Sequence, residues 1–315
     1  MTPARIVLHL PDSYLETFRT RKHLLYNRIE DVVGPKGGTV EVRGRPTGRP
    51  AADSDLHIVD NGRFQRQGYL NSCTAYFEGF WHLDPVGVLA ESRTGARIYD
   101  PAQIDTVAAD RFFAQIHARF AATRRSRYRQ ARAVVAVPQD AIAVFLQGPS
   151  PMKLGHAHCS VEDMLRAVAQ AAGGRAVVVK PHPLQQAMGQ TQIAEAQAQG
   201  HDLTETNANV HDILARASVT VSINSAAALE GFQHGKPAIL FGKSDFHHHV
   251  QTVRHPDDFA SALQAALASK TDYAKALYWY FGLNCLWLEA SDFEARLLGI
   301  LAEAGFDADR LGLQI

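Results

Sequence analysis

Residues 177–183 read Val-Val-Val-Lys-Pro-His-Pro, and further along comes Val219-Thr-Val-Ser-Ile-Asn-Ser-Ala-Ala-Ala-Leu-Glu230. Each is a β-branched run that breaks abruptly into polar residues. In an open parallel sheet, ligands bind outside the carboxyl ends of the strands. Both segments place their polar residues there, which points to one site that handles an anion. Lys180 brings a cation and His182 an imidazole. The flanking prolines fix φ on both sides, so the histidine's direction is set by the backbone. A pinned imidazole can donate to a departing phosphate or act as a general acid near neutral pH. The plainer alternative is a tight turn whose histidine only caps backbone groups.

Ser222, Asn224 and Ser225 precede a helix expected to begin near Ala226. Hydroxyls and free N–H groups at such a start form an anion site; ordinary capping by Ser225 is the competing reading. Glu230, further into that helix, can accept hydrogen bonds from ribose hydroxyls, or can be a solvated helix residue. Asn209, ahead of His211 and Asp212, reads as a helix cap. Three adjacent histidines, His247, His248 and His249, do not have the spacing of a zinc site. One of them lining a cleft is the better expectation.

The stretch Glu78-Gly-Phe-Trp-His-Leu-Asp-Pro-Val-Gly87 combines two acids, a histidine and a tryptophan. It reads equally as an acceptor-binding loop, with aromatic faces and carboxylates for a sugar, or as a core-packing loop. Arg124-Arg125-Ser126-Arg127-Tyr128-Arg129 is the densest basic cluster. Its expected role is a solvated helix C-terminus, favoured by the macrodipole, over phosphate or membrane binding.

Composition narrows the classes. The chain has 315 residues, 46% of them hydrophobic, with Lys+Arg and Asp+Glu balanced at 32 each. That balance lacks the basic excess of a nucleic-acid binder. Cys73, Cys159 and Cys285 are far apart and suit a reducing compartment, as small core residues. No apolar run has the length of a membrane span or a signal-peptide core, so a soluble cytoplasmic protein is expected.

Periodicity supplies the framework. Strands are expected at Arg5–Leu10, Thr39–Arg43 and Leu56–Asp60, with one helix over Ser13–Val32. Gly44–Pro50 reads as a loop, residues 69–100 as an irregular aromatic-rich stretch, and Ala108–Arg129 as a long amphipathic helix. From about residue 131, five strands alternate with helices, which predicts a parallel sheet. The tail from Pro256 is helical in pattern. The expected fold is α/β: two Rossmann-like halves (GT-B-like) with a C-terminal helical segment. The expected domains are 1–130, an acceptor-side half; 131–255, a nucleotide-sugar half; and 256–315, helices packing back across both.

Several motifs, in order, carry a family resemblance: Phe145-Leu-Gln147, Val179-Lys-Pro-His-Pro183, Asn209-Val-His-Asp-Ile-Leu214, Val221-Ser-Ile-Asn-Ser225 with Glu230, Gly235-Lys-Pro237 and Phe241-Gly-Lys-Ser-Asp-Phe246. Together they resemble the capsule polysaccharide biosynthesis/export family, which includes bacterial Kdo transferases of GT-B type. The resemblance covers residues 135–250, with a looser echo at 80–87. It implies a nucleotide-activated donor, CMP-Kdo, and a lipid-linked or growing saccharide as acceptor, with peripheral membrane association left open. It places His182 at the donor phosphate, Gln147, Lys180, Ser222, Asn224 and Ser225 around phosphate or sugar carboxylate, and Glu230 on the ribose. The family's Gln-bearing strand end is followed by an acid, whereas residues 147–155 contain none. Glu78 or Asp84 is then the expected catalytic acid or base. The reaction is expected to need no cofactor and no metal, on the expectation that the chain has no Asp-x-Asp pair. Alternatives are a polyol-phosphate (teichoic-acid-type) transferase, which shares the His-Pro element, and a non-catalytic binding protein that kept the nucleotide fold.

Overall fold

A short apolar run can bury both faces of its backbone only inside a parallel sheet covered by helices, and two such sheets form. The computed structural model describes residues 2–45, 48 and 53–314, with only the backbone at Leu24. The chain divides into two compact units, Met1–Arg97 with Tyr280–Ile315, and Ile98–Trp279. Most of the expected loop at 44–50 (Pro46, Thr47, Arg49 and Pro50) lies outside the described residues.

The first unit contains β1 (Ile6–Leu10), β2 (Val40–Gly44), β3 (Leu56–Asp60), β4 (Tyr69–Thr74) and β5 (Phe80–Asp84), plus a short strand Leu286–Trp287. The sheet order is β2-β1-β3-β4-β5, then Leu286–Trp287. The first four strands are parallel; β5 runs antiparallel to β4, and Leu286–Trp287 antiparallel to β5. Winding reverses between β1 and β3, a topological switch point.

The second unit contains β6 (Ala141–Phe145), β7 (Val177–Lys180), β8 (Thr204–Glu205), β9 (Ala217–Ser222), β10 (Ala238–Leu240) and β11 (Gln251–Thr252). They lie in the order β8-β7-β6-β9-β10-β11, all parallel. This is the doubly wound dinucleotide-fold order, with its switch point between β6 and β9. Ile142, Val144, Val179, Val221 and Ile239 form one core with Met164, Leu165 and Val168 of helix Val161–Gln170. That helix starts as its sequence requires: Ser160 Oγ accepts the Asp163 N–H at 3.0 Å. Both units are Rossmann-like α/β halves.

Four expectations are corrected. The single helix over 13–32 is two, Asp12–Arg19 and Leu24–Val33. The chain turns at Arg21, with φ +55°, and the His23 ring caps the second helix by accepting the Tyr26 N–H at 3.3 Å. The aromatic stretch after residue 69 is not irregular at its start but forms β4 and β5. Tyr76 and Gly79 turn the hairpin at positive φ, and Phe80 stacks at 5.5 Å on Trp287. The long helix ends at Arg119, so the basic cluster is a loop rather than a helix end. Finally, the boundary expected at 130/131 falls inside the second unit, and the tail is not one helical segment. Phe259, Leu263 and Ala266 belong to the second core, whereas Phe293, Leu297, Leu301 and Phe306 belong to the first. Burial, not sequence proximity, decides which half each helix completes.

Candidate functional site at the carboxyl ends of the second sheet

The switch point of the second sheet is closed by a two-way clasp. The Asn224 N–H donates to Gln147 Oε1 at 2.8 Å, and Gln147 Nε2 donates to Asn224 Oδ1 at 3.0 Å. Asn224 Nδ2 also donates to the Lys243 carbonyl at 3.0 Å, tying in the segment after β10. The ends of β6, β9 and β10 are thereby fixed together. Beside the clasp, Ser222 Oγ accepts the Ser225 N–H at 3.0 Å, and Ser225 Oγ accepts the Ala227 N–H at 3.2 Å. Ser222 is buried and its hydroxyl shapes the turn, while Asn224 and Ser225 stay partly exposed. The helix that follows is only Ala227–Phe232. Its dipole is that of a short helix, so the turn's polar groups matter more than the helix itself.

Lys180 ends β7. Its Nζ donates to the Ala208 carbonyl at 2.7 Å, and burial lowers its pKa while the nearby Glu230 opposes that shift. Glu230 is buried rather than solvated. Burial pushes its carboxyl up to about 7, against the lowering effects of a Ser126 hydrogen bond and of Lys180. The expected ribose ligand is thus engaged from within the protein.

His182 is half-buried on the loop after β7. Its Nδ1 accepts the Leu184 N–H at 3.2 Å, so a neutral ring carries its proton on Nε2. Burial, and then the charge of Arg127, lower its pKa. The Tyr128 ring meets it edge-on at 4.9 Å. The imidazole therefore stands as a neutral hydrogen-bond donor with a fixed tautomer.

Sequence reasoning missed the basic loop. Ser126 reaches Glu230 and Tyr128 packs on His182, so the loop belongs to the site. It is held by the helix Val210–Arg216. Asn209 Oδ1 caps that helix through the His211 N–H at 2.9 Å, as expected, while its Nδ2 donates to the carbonyls of Arg124 and Ala131. His211 Nε2 donates to the Arg125 carbonyl at 2.7 Å, which leaves Nδ1 to accept from His234 at 3.0 Å. Arg124 pairs with Asp212 through two hydrogen bonds, at 2.8 and 2.6 Å. One signal was available in the sequence: the apolar spacing of Phe112, Ile116 and Phe120 stops where the arginines begin.

The two acids expected in the first unit lie at opposite edges of its sheet. Glu78 is exposed on the β4–β5 hairpin, at the edge where the parallel strands end. Asp84 ends the antiparallel β5 at the other edge. It is buried, and accepts N–H groups from Val86 at 2.8 Å, Gly87 at 3.1 Å and Arg93 at 3.0 Å. Its carboxylate organises a turn. Asp60, not anticipated, ends β3 at the switch point. It is buried, accepts from Tyr26 Oη at 3.0 Å and Asn61 Nδ2 at 2.8 Å, and has its pKa raised by burial.

Asp-x-Asp spacing does occur, at Asp53-Ser-Asp55 and Asp307-Ala-Asp309. The first pair binds its own backbone, His57 and Arg5; Asp307 caps a helix through the Arg310 N–H. Among the described residues no group of three or more His, Cys, Asp or Glu side chains could hold a metal ion. Of the three adjacent histidines, His249 is buried against Tyr99 at 4.3 Å and Trp279 at 5.5 Å. Among the described residues no helix is long and apolar enough to cross a membrane.

Comparison with known proteins bears on the fold and the family. No curated protein matches the chain. Solved structures that share its fold include the β-Kdo 2,7 transferase of Thermosulfurimonas dismutans KpsC and the β-Kdo 2,4 transferase of the same protein. The first has a TM-score of 0.58 at 13% identity, covering 96% of this chain and 99% of that one. The second has a TM-score of 0.53 at 14% identity, covering 88% and 90%. The family model for capsule polysaccharide biosynthesis proteins matches residues 102–271, which include the Gln147–Asn224 clasp, Lys180, His182, Glu230 and the basic loop. With more than half its length matched, the chain belongs to the capsule polysaccharide biosynthesis protein family.

Proposed function

We propose that the protein is a glycosyltransferase of capsular or surface polysaccharide biosynthesis. It moves a sugar, Kdo from CMP-Kdo, onto a lipid-linked or growing saccharide. The observation that carries this reading is the convergence of Lys180, His182 and the Gln147–Asn224 clasp at the carboxyl ends of β6, β7 and β9. When the bond between sugar and nucleotide breaks, negative charge grows on the leaving phosphate. A lysine cation and a pre-oriented imidazole N–H meet that charge without reorganising, which is the economical way to stabilise it. In this reading no metal ion is required. Asn224 and Ser225, on the partly exposed turn, contact the phosphate or sugar carboxylate, with Ser222 holding the turn. Gln147 holds Asn224 in place. Glu230, buried beneath Ser126, sets the position of the basic loop and is the proposed ribose contact.

Of the two acids expected to act in catalysis, Glu78 has the exposed carboxylate and is retained as the proposed acid or base. A lipid-linked acceptor would bring the protein to the inner face of the membrane as a peripheral partner.

Calorimetry with CMP, CDP and UDP, together with a donor-hydrolysis assay, tests the proposal. CMP binding with turnover of CMP-Kdo is the expected result. Preference for CDP would transfer the assignment to polyol-phosphate chemistry. Binding of no nucleotide at all would leave a non-catalytic fold and sink it.

A further inference from the structure

The basic loop borders an open hollow of about 330 Å³, lined by Arg124, Arg125, Arg129 and Arg132 together with Ser126 and Tyr128. Its size is at the small end of ligand sites, enough for one compact charged group with part of what carries it. Lys180, His182 and Glu230 are not in its wall. No carboxylate among the described residues lines it either. Arg124 is committed to Asp212, but Arg129 and Arg132 are exposed and have no carboxylate partner among the described residues. Keeping these like charges together costs repulsion unless something negative joins them.

The backbone here is not left to adjust. Asn209 holds the carbonyls of Arg124 and Ala131, and His211 holds that of Arg125. The guanidinium groups are thus presented from a fixed loop around a concavity. Guanidinium forks lining one concavity suit the several oxygens of a phosphate ester. A concave site of this size also favours a discrete group over a flat lipid surface.

We infer that this hollow is a second anion-binding subsite, which takes the phosphate ester of a molecule other than the nucleotide donor. That assignment goes beyond the donor site and does not require it. In a transferase, the molecule bearing this phosphate is the acceptor. Because Ser126 and Tyr128 line the hollow and also touch Glu230 and His182, an occupant fixes the loop that backs the donor groups.

The test titrates the full chain at low ionic strength with inorganic phosphate and with glycerol phosphate, each with and without saturating CMP. Phosphate is expected to bind in the presence of CMP. The Arg129→Gln/Arg132→Gln variant should weaken phosphate binding by about tenfold and CMP binding far less. Displacement of phosphate by CMP would overturn the inference, because one site would then serve both. So would a double variant that binds phosphate like the wild type, including one that at the same time loses binding to phosphatidylglycerol vesicles. A chain that binds phosphate in this pattern but no CMP would refute the donor assignment alone.

Discussion

Gln147 and Asn224 hold each other by two hydrogen bonds across the central strands β6 and β9, at 2.8 and 3.0 Å. The winding of the sheet reverses there, so no helix crosses above and the strand ends would otherwise be free to part. Gln147→Ala removes the acceptor of the Asn224 N–H and the donor to its side chain. It should destabilise the protein by about 1–2 kcal/mol and raise the donor KM more than it lowers kcat. Thermal melts paired with kinetics check this. A wild-type KM would show that the clasp has no part in donor binding.

His182 is oriented by the Leu184 N–H and by the edge of Tyr128. His182→Ala should remove most transfer activity with little change in melting temperature. Tyr128→Phe keeps the ring and should be nearly silent, whereas Tyr128→Ala should lower kcat. Because the folded ring has its pKa lowered, it stays neutral at pH 7 and the Nε2 proton is available there. Wild-type turnover in His182→Ala would remove the residue from the mechanism.

Glu230 makes stability depend on pH in a definite sense. The folded carboxyl keeps its proton up to about pH 7, while the reference carboxyl releases it at 4.5. The fold therefore binds the extra proton between these values. The resulting stability is complete below pH 4.5 and is lost as pH rises through 7, with a magnitude on the order of 3 kcal/mol. Glu230→Gln cannot lose a proton and should flatten this part of the profile. Melting temperatures of the two proteins from pH 4.5 to 8 decide it; parallel curves would rule out a buried titrating acid. Kinetically, Glu230→Ala should raise the donor KM more than it lowers kcat.

Gly189 lies on helix Gln186–Ala198, where a Cβ would meet Pro181 Cβ at 2.8 Å and Pro181 Cα at 3.1 Å. Alanine normally favours a helix by about 1 kcal/mol over glycine, but here it would push Pro181, and with it His182. Gly189→Ala should cut kcat severalfold while the protein stays folded. Unchanged kcat would mean that the Pro-His-Pro turn tolerates the shift.

Asp84 separates a structural acid from a catalytic one. Asp84→Ala leaves three N–H groups in a buried turn without their acceptor and should cost on the order of 3 kcal/mol. Glu78→Gln, at an exposed site, should leave the melting temperature unchanged and reduce kcat. Reduced kcat with full stability in Asp84→Ala would reverse the two roles.

The strands with one uninterrupted apolar run were legible from residue types. Ala141–Phe145 is apolar throughout, Val177–Val179 is a run of valines, and Val219, Thr220 and Val221 are β-branched, and a buried parallel strand accommodates such runs most simply. The polar residues that close them had to fall at the carboxyl edge, so Lys180, His182, Ser222, Asn224 and Ser225 could be placed without coordinates. Local chemistry also fixed the caps at Ser160 and Asn209.

What the sequence could not show was decided by partners distant in the chain. The arginines after Phe120 continue a helical composition, yet their carbonyls are taken by Asn209 and His211, some eighty or more positions away. Those bonds make the segment a loop, bring Ser126 to Glu230 and turn an ordinary helix acid into a buried titrating group. Asp84 and Asp60 are both strand-end aspartates in the sequence. Strand direction alone separates them: antiparallel β5 carries Asp84 to the opposite edge, while parallel β3 leaves Asp60 at the switch point. The sequence determined which side chains could carry the chemistry; strand direction and long-range hydrogen bonds decided which of them share a site.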